Sequence, residues 1–234
     1  MSQRYFLDLF SGIGGFALGA HWAGLSFDRH FYSEVDPYAC KVYQTRFPEA
    51  EALGDIRAIR GADLPRGDWI IAGGFPCQPF STAARGRNNA TDFWPEMRRI
   101  VAELRPRFVV AENVDKKAIL RARNDCRSLG MGAEGYRIPA AAMGAAHYRK
   151  RFWMVAYSYR EGESHGALDE KMACISGISE MDSAEINPRA MGGDDGISHR
   201  VDRLKCLGNS IVPQIAELIF SQPAFDPWRR PDAP

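Results

Sequence analysis

Cysteine is scarce in this sequence, and its few cysteines form no recognisable pair. The 234 residues contain five, at positions 40, 77, 126, 174 and 206, and no C-x-x-C occurs among them. An odd count without the spacing of a zinc site or a redox pair argues against a disulfide framework and a structural metal. We therefore expect free thiols, no bound metal ion and a cytoplasmic protein.

Long apolar runs are also missing. No run approaches the roughly 20 residues of a membrane-spanning helix, and the opening MSQRYFLDLF lacks the apolar stretch of a signal peptide. Hydrophobic residues nevertheless make up 45% of the chain, which is enough for a packed core. The length suits one domain, or one domain with a small appendage. We expect no interaction with a membrane.

The charges nearly balance, with a net charge of +1, but they are unevenly distributed. Between Arg98 and Arg151 there are thirteen Lys or Arg residues and five Asp or Glu residues. Between Glu161 and Asp195 there are two basic residues and nine acidic ones. This asymmetry is typical of separate tasks, such as phosphate binding by the basic stretch, although two solvated faces would give the same pattern.

Short apolar segments alternate with helical segments along most of the chain. Strands are predicted at RYFLDLF, FDRHFYSE, EALGDI, DWIIAGG, RFVVAEN, YRIPAAAM and RFWMVAYS. Helices are predicted at FALGAHWAG, PYACKVYQTRF, FWPEMRRIVAEL, KKAILRARNDCRSLG and IVPQIAELIF. The alternation predicts an α/β fold with a doubly wound, mostly parallel sheet. The pattern stops after Ser158 and resumes only at the final helix.

A glycine turn follows the first predicted strand. Residues 12–17, GIGGFA, fit G-x-G-x-x-A, and glycines there let the backbone approach a ligand closely. Glu34 ends the second strand, where a carboxylate accepts ribose hydroxyls. Asp55 ends the third, where a carboxylate accepts from an adenine amino group. The pattern predicts a site for a nucleotide-like ligand, either a dinucleotide or S-adenosylmethionine, unless the turn is tight for structural reasons alone.

The segment AGGFPCQPFS places Cys77 between two prolines, on a stiff loop after the fourth strand. Glu112 ends the fifth strand. Because ligands bind beyond the carboxyl ends of parallel strands, Cys77 and Glu112 should lie beside the glycine turn. A thiolate is a strong nucleophile when nearby positive charge lowers its pKa, and Arg149 and Arg151 are candidates to supply that charge. The alternative is a structural thiol.

These segments resemble the DNA cytosine-5 methyltransferases. LDLFSGIGGFALG is similar to their cofactor loop, YSEVDPYA to the ribose-binding segment and GDI to the adenine-binding turn. GGFPCQPFS resembles the nucleophile loop, ENV the base-binding segment, HYRKRFWMVA the arginine segment and LGNSIVPQIAE the last segment, which folds back onto the cofactor. The order is also the family's. The resemblance covers residues 4–157 and about 189–220, and implies a Rossmann-like fold that uses S-adenosylmethionine.

The resemblance also implies a mechanism on a cytosine flipped out of duplex DNA. Cys77 attacks C6 of the ring, which makes C5 nucleophilic toward the methyl group. Glu112 contacts N3 and the exocyclic amine, while Arg151 binds O2 and Arg149 helps to hold the site. The residues implied to contact the cofactor are Phe10, Ser11, Gly12, Gly14, Glu34, Val35, Asp55, Ile56, Pro76 and Asn209, and those implied to contact the substrate are Gln78, Ser81 and Asn113.

Two substitutions depart from the family pattern. His147 stands where the family usually has Gln, and Val35 replaces a residue that is commonly aromatic beside the adenine. His147 either donates the same hydrogen bond or lies at the surface. Val35 would pack less closely against the cofactor.

The largest departure is length. Family members carry a target-recognition domain between the arginine segment and the last segment, whereas residues 158–188 give only thirty-one residues, strongly acidic. We predict a catalytic and cofactor-binding core at 1–157, this acidic insert at 158–188 and a returning segment at 189–234. Chains below about 40 residues rarely fold alone, so no independent recognition domain is expected.

Other functions stay open on sequence alone. The same chemistry could act on RNA. The chain could also be a catalytic or idle half of a split methyltransferase, with a partner protein that recognises DNA. An NAD-dependent oxidoreductase fits the glycine turn but leaves FPCQPFS without a role. A restriction–modification or phage setting, in a bacterial or phage-infected cell and near its nucleoid, is implied by the resemblance only.

Overall fold

The computed structural model describes residues 2–76, 92–143, 150–159 and 210–230. Within these ranges, seven strands form one sheet. The strands are β1 Arg4–Leu9, β2 Arg29–Ser33, β3 Glu51–Ala52, β4 Asp68–Gly74, β5 Phe108–Asn113, β6 Gly132–Pro139 and β7 Lys150–Tyr157. The helices are α1 Gly15–Trp22, α2 Pro37–Arg46, α3 Trp94–Leu104, α4 Lys116–Ser128 and α5 Pro213–Phe220. None of these helices is long and apolar enough to cross a membrane.

The strand order is β3-β2-β1-β4-β5-β7-β6. The first five strands are parallel to one another, and β7 runs antiparallel between β5 and β6. The predicted α/β class with a mostly parallel sheet is therefore confirmed. The chain order reverses between β1 and β4, which is where open α/β sheets bind ligands.

Buried side chains cover both faces of the sheet. In β1, Phe6 packs into one core cluster, while Tyr5, Leu7 and Leu9 pack into the cluster on the opposite face. Asp8 alternates with Leu7 and Leu9, so it lies on the Phe6 face. Helix α5 packs directly on α1, and a Cβ added to Gly19 would lie 2.5 Å from that of Ala216.

Two strand boundaries differ from the sequence-based prediction. Strand β3 has only two residues, because Gly54 adopts a φ of +69° and turns the chain away from the sheet. Asp55 then accepts a hydrogen bond from the Arg57 backbone N–H and starts a short 3-10 turn. Strand β6 runs from Gly132 to Pro139, so it begins and ends earlier than predicted: it pairs with β7 along its whole length, and the AAAM of the predicted strand forms a 3-10 turn, Ala140–Met143.

Candidate active site

A cavity of about 1240 Å³ opens at the carboxyl ends of the strands. It receives residues from the ends of β1, β2, β4 and β5, from the turn after β3, and from β7. Eleven of the predicted site residues line it, namely Phe10, Ser11, Gly12, Glu34, Val35, Asp55, Ile56, Pro76, Glu112, Asn113 and Arg151. The volume exceeds the roughly 300–1,000 Å³ of typical ligand pockets.

The glycine turn forms the wall of the cavity beside β1. Phe10 and Gly12 both have positive φ, at 52° and 53°, and no non-neighbouring atom of the described residues lies within 4 Å of the position of a Cβ on Gly12. Gly14, which was also predicted to contact the cofactor, does not line the cavity. It lies behind the turn, where a Cβ would come within 2.8 Å of Phe47. Its small size therefore serves packing.

Glu34 holds the turn through its carboxylate. Its Oε2 accepts a hydrogen bond from the Gly12 N–H at 2.8 Å, and its Oε1 accepts from the N–H groups of Val35 and Asp36 at 2.8 and 2.9 Å. Three of the roughly four lone-pair sites of a carboxylate are thus used by backbone. Glu34 therefore shapes the site as well as lining it.

Asp55 is engaged with its neighbour Arg57. The two side chains form an ion pair, and hydrogen bonding from the Arg57 side chain lowers the pKa of Asp55 to about 2. The carboxylate is therefore ionised at neutral pH and faces the cavity. Val35 also lines the cavity, and it is 68% exposed, so its side chain leaves one apolar surface uncovered.

Glu112 and Arg151 form an ion pair on the far side of the cavity. Arg151 Nε lies 2.8 Å from Glu112 Oε1, and both side chains are largely shielded from solvent. A Cβ on Gly74, the residue beside Glu112 in β4, would come within 3.2 Å of Glu112 Oε2. The sheet thus brings together an acid and a guanidinium that the sequence places almost forty positions apart.

Asn113 ties β5 to the loop after β4. Its Nδ2 donates to the Phe75 carbonyl at 2.9 Å, and its Oδ1 accepts from the Asp115 N–H at 2.9 Å. The side chain is buried, so its amide organises the backbone from which the chain continues through Pro76 to Cys77. This role was not foreseen for Asn113, which the sequence assigned to the substrate.

Several predicted site residues fall outside the residues that the structure describes. They are Cys77, Gln78, Ser81, Arg149 and Asn209, and the family departure His147 is another. Their roles stay predictions. Neighbours on either side are described, however: Pro76 and Ser210 both line the cavity. Among the described residues, no cluster of His, Cys, Asp or Glu could hold a metal ion.

A buried polar chain behind the glycine turn was missed by the sequence analysis. Asp8 Oδ2 accepts from the Tyr43 hydroxyl at 3.1 Å, and His30 Nε2 lies 2.7 Å from the same hydroxyl. Burial raises the pKa of Asp8 well above its ordinary value and lowers the pKa of His30 to about 4. A charged residue inside the buried segment RYFLDLF was the available signal, because a buried carboxylate needs partners.

The cavity fits a nucleoside-like cofactor. Gly12 leaves open space for close approach, ionised Asp55 faces the cavity and Val35 offers an apolar surface. Ser11 Oγ is buried, lines the cavity and has no hydrogen-bond partner among the described residues. Ser210 and Ile211 close one side, since Ile211 Cγ1 would lie 2.6 Å from a Cβ on Gly15.

The comparisons with known proteins agree with this site. A sequence model described as C-5 cytosine-specific DNA methylase matches residues 5–187. The Type II methyltransferase M.BanI of Aneurinibacillus aneurinilyticus is 33% identical over 165 residues, covering 64% of this chain and 37% of the relative. M.HgiCII of Herpetosiphon aurantiacus is 33% identical over 177 residues, covering 69% and 39%. This chain thus spans less than two fifths of either relative.

Two solved structures share the fold. A prophage-encoded protein of E. coli, described as a DNA modification methyltransferase, superposes with a TM-score of 0.52 at 28% identity, covering 66% of this chain and 47% of the other. A Spodoptera frugiperda DNMT2 mutant superposes with a TM-score of 0.56 at 22% identity, covering 66% and 50%. The second likeness supports the fold alone.

Proposed function

The chain belongs to the C-5 cytosine-specific DNA methylase family, and from this premise we propose that it methylates C5 of cytosine in DNA. Members of this family use S-adenosylmethionine as the methyl donor. One observation carries the proposal: the Glu112–Arg151 pair, the glycine turn and Pro76, the residue before Cys77 in the sequence, line one cavity.

The proposed chemistry begins at Cys77. Its thiolate adds to C6 of cytosine, forming an S–C6 bond and moving electron density to C5, while Glu112 shares a hydrogen bond with N3. The bound cofactor supplies an electrophilic methyl group. C5 would take this methyl, the donor's S–CH3 bonding pair staying on its sulfur to leave neutral S-adenosylhomocysteine. C5 then loses its proton to a base, and the electrons of that C–H bond break the S–C6 bond and release the thiolate. Attack requires the reacting atoms to lie about 3 Å apart and aligned, which a proline-flanked loop favours.

Arg151 supplies positive charge where the base would develop negative charge. Its guanidinium pairs with Glu112 in the described structure, and an opposite charge favours the ionised form of a carboxyl group. Transfer of Arg151 from Glu112 to O2 of the base would therefore help Glu112 to hold a proton near N3. Arg149 is proposed to help hold the same site.

The target cytosine must leave the duplex, since C6 is buried in stacked DNA. The basic stretch from Arg98 to Arg151 was predicted to hold phosphates, but many of its arginines pair with carboxylates. The pairs within the described residues are Arg98–Asp125, Arg99–Glu96, Arg99–Glu103, Arg121–Asp92, Arg127–Glu134 and Arg151–Glu112. Fewer of these charges are thus available for phosphates than the count suggests, so DNA binding by this core should be weak.

Recognition of a DNA sequence is the least complete part of the proposed function. The chain spans 37% of M.BanI and 39% of M.HgiCII, and its insert at 158–188 is short. We therefore include in the proposal a short or relaxed target site, or a partner protein that supplies recognition. A cytoplasmic location, in a restriction–modification or phage setting, completes it.

The deciding experiment is transfer of tritiated methyl groups from S-adenosylmethionine to duplex DNA, to transfer RNA and to protein in parallel. The proposal predicts label in DNA, in acid-stable 5-methylcytosine. Label in RNA alone would replace DNA as the substrate while keeping the chemistry. Binding of S-adenosylmethionine without transfer to any substrate would favour the half-enzyme, and neither binding nor transfer would refute the proposal.

A further inference from the structure

The buried chain of Asp8, Tyr43 and His30 lies directly behind the glycine turn and takes no part in the chemistry described above. We propose that Tyr43 is a positioning residue: held between Asp8 and His30, it fixes the turn from Gly12 to Ala17 in the conformation that binds S-adenosylmethionine. This inference rests on the proposed function, because it concerns the cofactor side of the same cavity.

Helix α1 begins without a side-chain cap of its own. The residue before the helix, Gly14, has no side chain with which to accept a hydrogen bond from the first turn. The Asp8 carboxyl group, from strand β1, instead lies near the backbone N–H of Ala17, the third residue of the helix, which acts to lower the pKa of Asp8. Side-chain oxygens that satisfy these first N–H groups normally come from the capping residue itself. Here the nearby oxygen belongs to a strand residue, and Asp8 Oδ1 has no hydrogen-bond partner among the described residues.

The Asp8 side chain is held in place by a hydrogen bond from another element. This side chain is fully buried, and burial is the largest cause of its raised pKa. The Tyr43 hydroxyl, from helix α2, donates to Asp8 Oδ2 at 3.1 Å. Removing that donor would leave the buried carboxyl group short of a hydrogen bond, which costs more than the bond itself contributes.

Asp8 and His30 together orient the hydroxyl group of Tyr43. A tyrosine hydroxyl has one proton, and here it goes to Asp8, so its oxygen accepts from His30 Nε2–H at 2.7 Å. Burial lowers the pKa of His30 to about 4, so the ring is neutral at pH 7, and with Tyr43 as donor to Asp8 the single ring proton is assigned to Nε2. The chain therefore has one direction, from His30 through Tyr43 to Asp8, and each donor has one acceptor.

The Tyr43 ring also contacts the glycine turn directly, at Gly14. Gly14 has a φ of +86°, and a Cβ there would lie 3.1 Å from the Tyr43 ring and 2.8 Å from Phe47. The Tyr43 ring also stacks on Tyr32, with centroids 4.2 Å apart. A shift of the Tyr43 side chain would therefore displace two groups at once. One is the ring surface against which Gly14 packs, and the other is the Asp8 carboxyl group near Ala17. Ser11 and Gly12, which line the cavity, precede Gly14 in the same turn.

The test compares two single-hydroxyl deletions in stacked tyrosines. In Tyr43→Phe the network loses its central group. In the matched control Tyr32→Phe the lost hydroxyl bonds Gln44, outside the network. Calorimetry should show S-adenosylmethionine binding weakened roughly tenfold in Tyr43→Phe, the effect of leaving a buried group unpaired, and nearly unchanged in Tyr32→Phe. At saturating cofactor, kcat should stay within about twofold of the wild type, so the loss falls on KM.

A second readout needs no cofactor. Amide hydrogen exchange of residues 12–17 should be faster in Tyr43→Phe than in the wild type and unchanged in Tyr32→Phe. A third variant, His30→Gln, keeps an N–H donor toward Tyr43 and should largely preserve the affinity that His30→Leu loses.

The outcomes separate the two proposals. A wild-type protein that binds no S-adenosylmethionine would contradict the proposed function. The rate of amide hydrogen exchange at residues 12–17 would then decide whether Tyr43 positions the turn. Wild-type binding with equal affinity and equal exchange in both Phe variants would overturn the positioning role and leave the proposed function intact. Equal loss in both variants would reduce the effect to general packing and would overturn it as well.

Discussion

Arg151 Nε lies 2.8 Å from Glu112 Oε1, across the antiparallel pair of β5 and β7. This pairing brings the two groups to the cavity from strands that run in opposite directions. Glu112 is buried, so an uncompensated charge there would be costly, and Arg151 compensates it. The pair is therefore compatible with burial in the absence of substrate, and the exchange of partners on base binding remains part of the proposal above.

Replacing Glu112 tests its role toward N3 of the base. In Glu112→Gln the side chain keeps its shape but can neither take up nor release a proton. Methyl transfer to DNA should fall at least about 100-fold, the lower range for a positioned acid or base. Cofactor affinity should stay within about twofold, as measured by calorimetry. The matched change Glu134→Gln removes an exposed carboxylate paired with Arg127 and should leave the rate unchanged. Full activity in Glu112→Gln would remove Glu112 from the mechanism.

Replacing Glu34 tests its place in the cofactor site. Glu34→Ala removes hydrogen bonds to three backbone N–H groups and any bond to the ribose. We expect cofactor binding to weaken by about 1.5–3 kcal/mol, the range for hydrogen bonds to a charged group. Affinity for DNA should barely change. Calorimetry on Glu34→Ala beside Glu49→Ala, an exposed acid on the chain after α2, checks this. Unchanged affinity in Glu34→Ala would make Glu34 a purely structural acid.

The sequence is sufficient to predict that the site residues lie at one edge of the sheet. The alternation of strands and helices indicates parallel strands, whose carboxyl ends lie at one edge of the sheet. Glu34, Asp55 and Glu112 each follow or end a predicted strand, so they are expected to lie at that edge. The strand order and the reversed direction of β7 could not be predicted, since both depend on pairing between distant segments. The Arg151–Glu112 contact is a consequence of that pairing.

The buried hydrogen bonds among Asp8, Tyr43 and His30 could not be predicted from the sequence, for a different reason. Asp8, His30 and Tyr43 lie on β1, β2 and α2, and no local spacing relates them. Alternation predicted that RYFLDLF is buried, and the carboxylate inside it then required partners. Which donors those partners would be is decided by packing between α2 and the sheet, which the sequence pattern does not specify.

His30 should make the folded protein sensitive to acid. Its pKa falls to about 4 in the folded state from 6.5 in the unfolded state, so between these values the unfolded chain binds the extra proton. Stability is therefore lost as the pH falls, by about 2 kcal/mol between pH 7 and pH 5. Asp8, whose pKa is raised, acts in the opposite direction, but it is present in both proteins that are compared.

Urea unfolding at pH 7 and pH 5 measures this difference. The wild type should lose about 2 kcal/mol more than His30→Gln over this interval, whereas His21→Gln, at an exposed position on α1, should behave as the wild type. An identical pH dependence in the wild type and His30→Gln would mean that His30 titrates normally.

The acidic insert at 158–188 is predicted to contain no independent recognition domain. The protein alone should then bind DNA weakly, with affinity that falls steeply with salt because phosphate contacts dominate. Bisulfite sequencing of plasmid from cells that express only this chain measures the target. A short or relaxed motif would support recognition by the core, and no methylation would favour a missing partner. Complete methylation of one long, strictly defined site would contradict the prediction.

The covalent role of Cys77 is the central claim. Duplex DNA that contains 5-fluorocytosine should trap the wild-type protein, because fluorine at C5 blocks the final elimination. We predict an adduct stable to denaturant, dependent on S-adenosylmethionine, in the wild type and in Cys40→Ser, but absent in Cys77→Ser, since a hydroxyl is a far weaker nucleophile than a thiolate. Denaturing gel electrophoresis with labelled DNA reads this directly. An adduct that persists in Cys77→Ser, or none in a wild-type protein that methylates ordinary cytosine, would contradict the account.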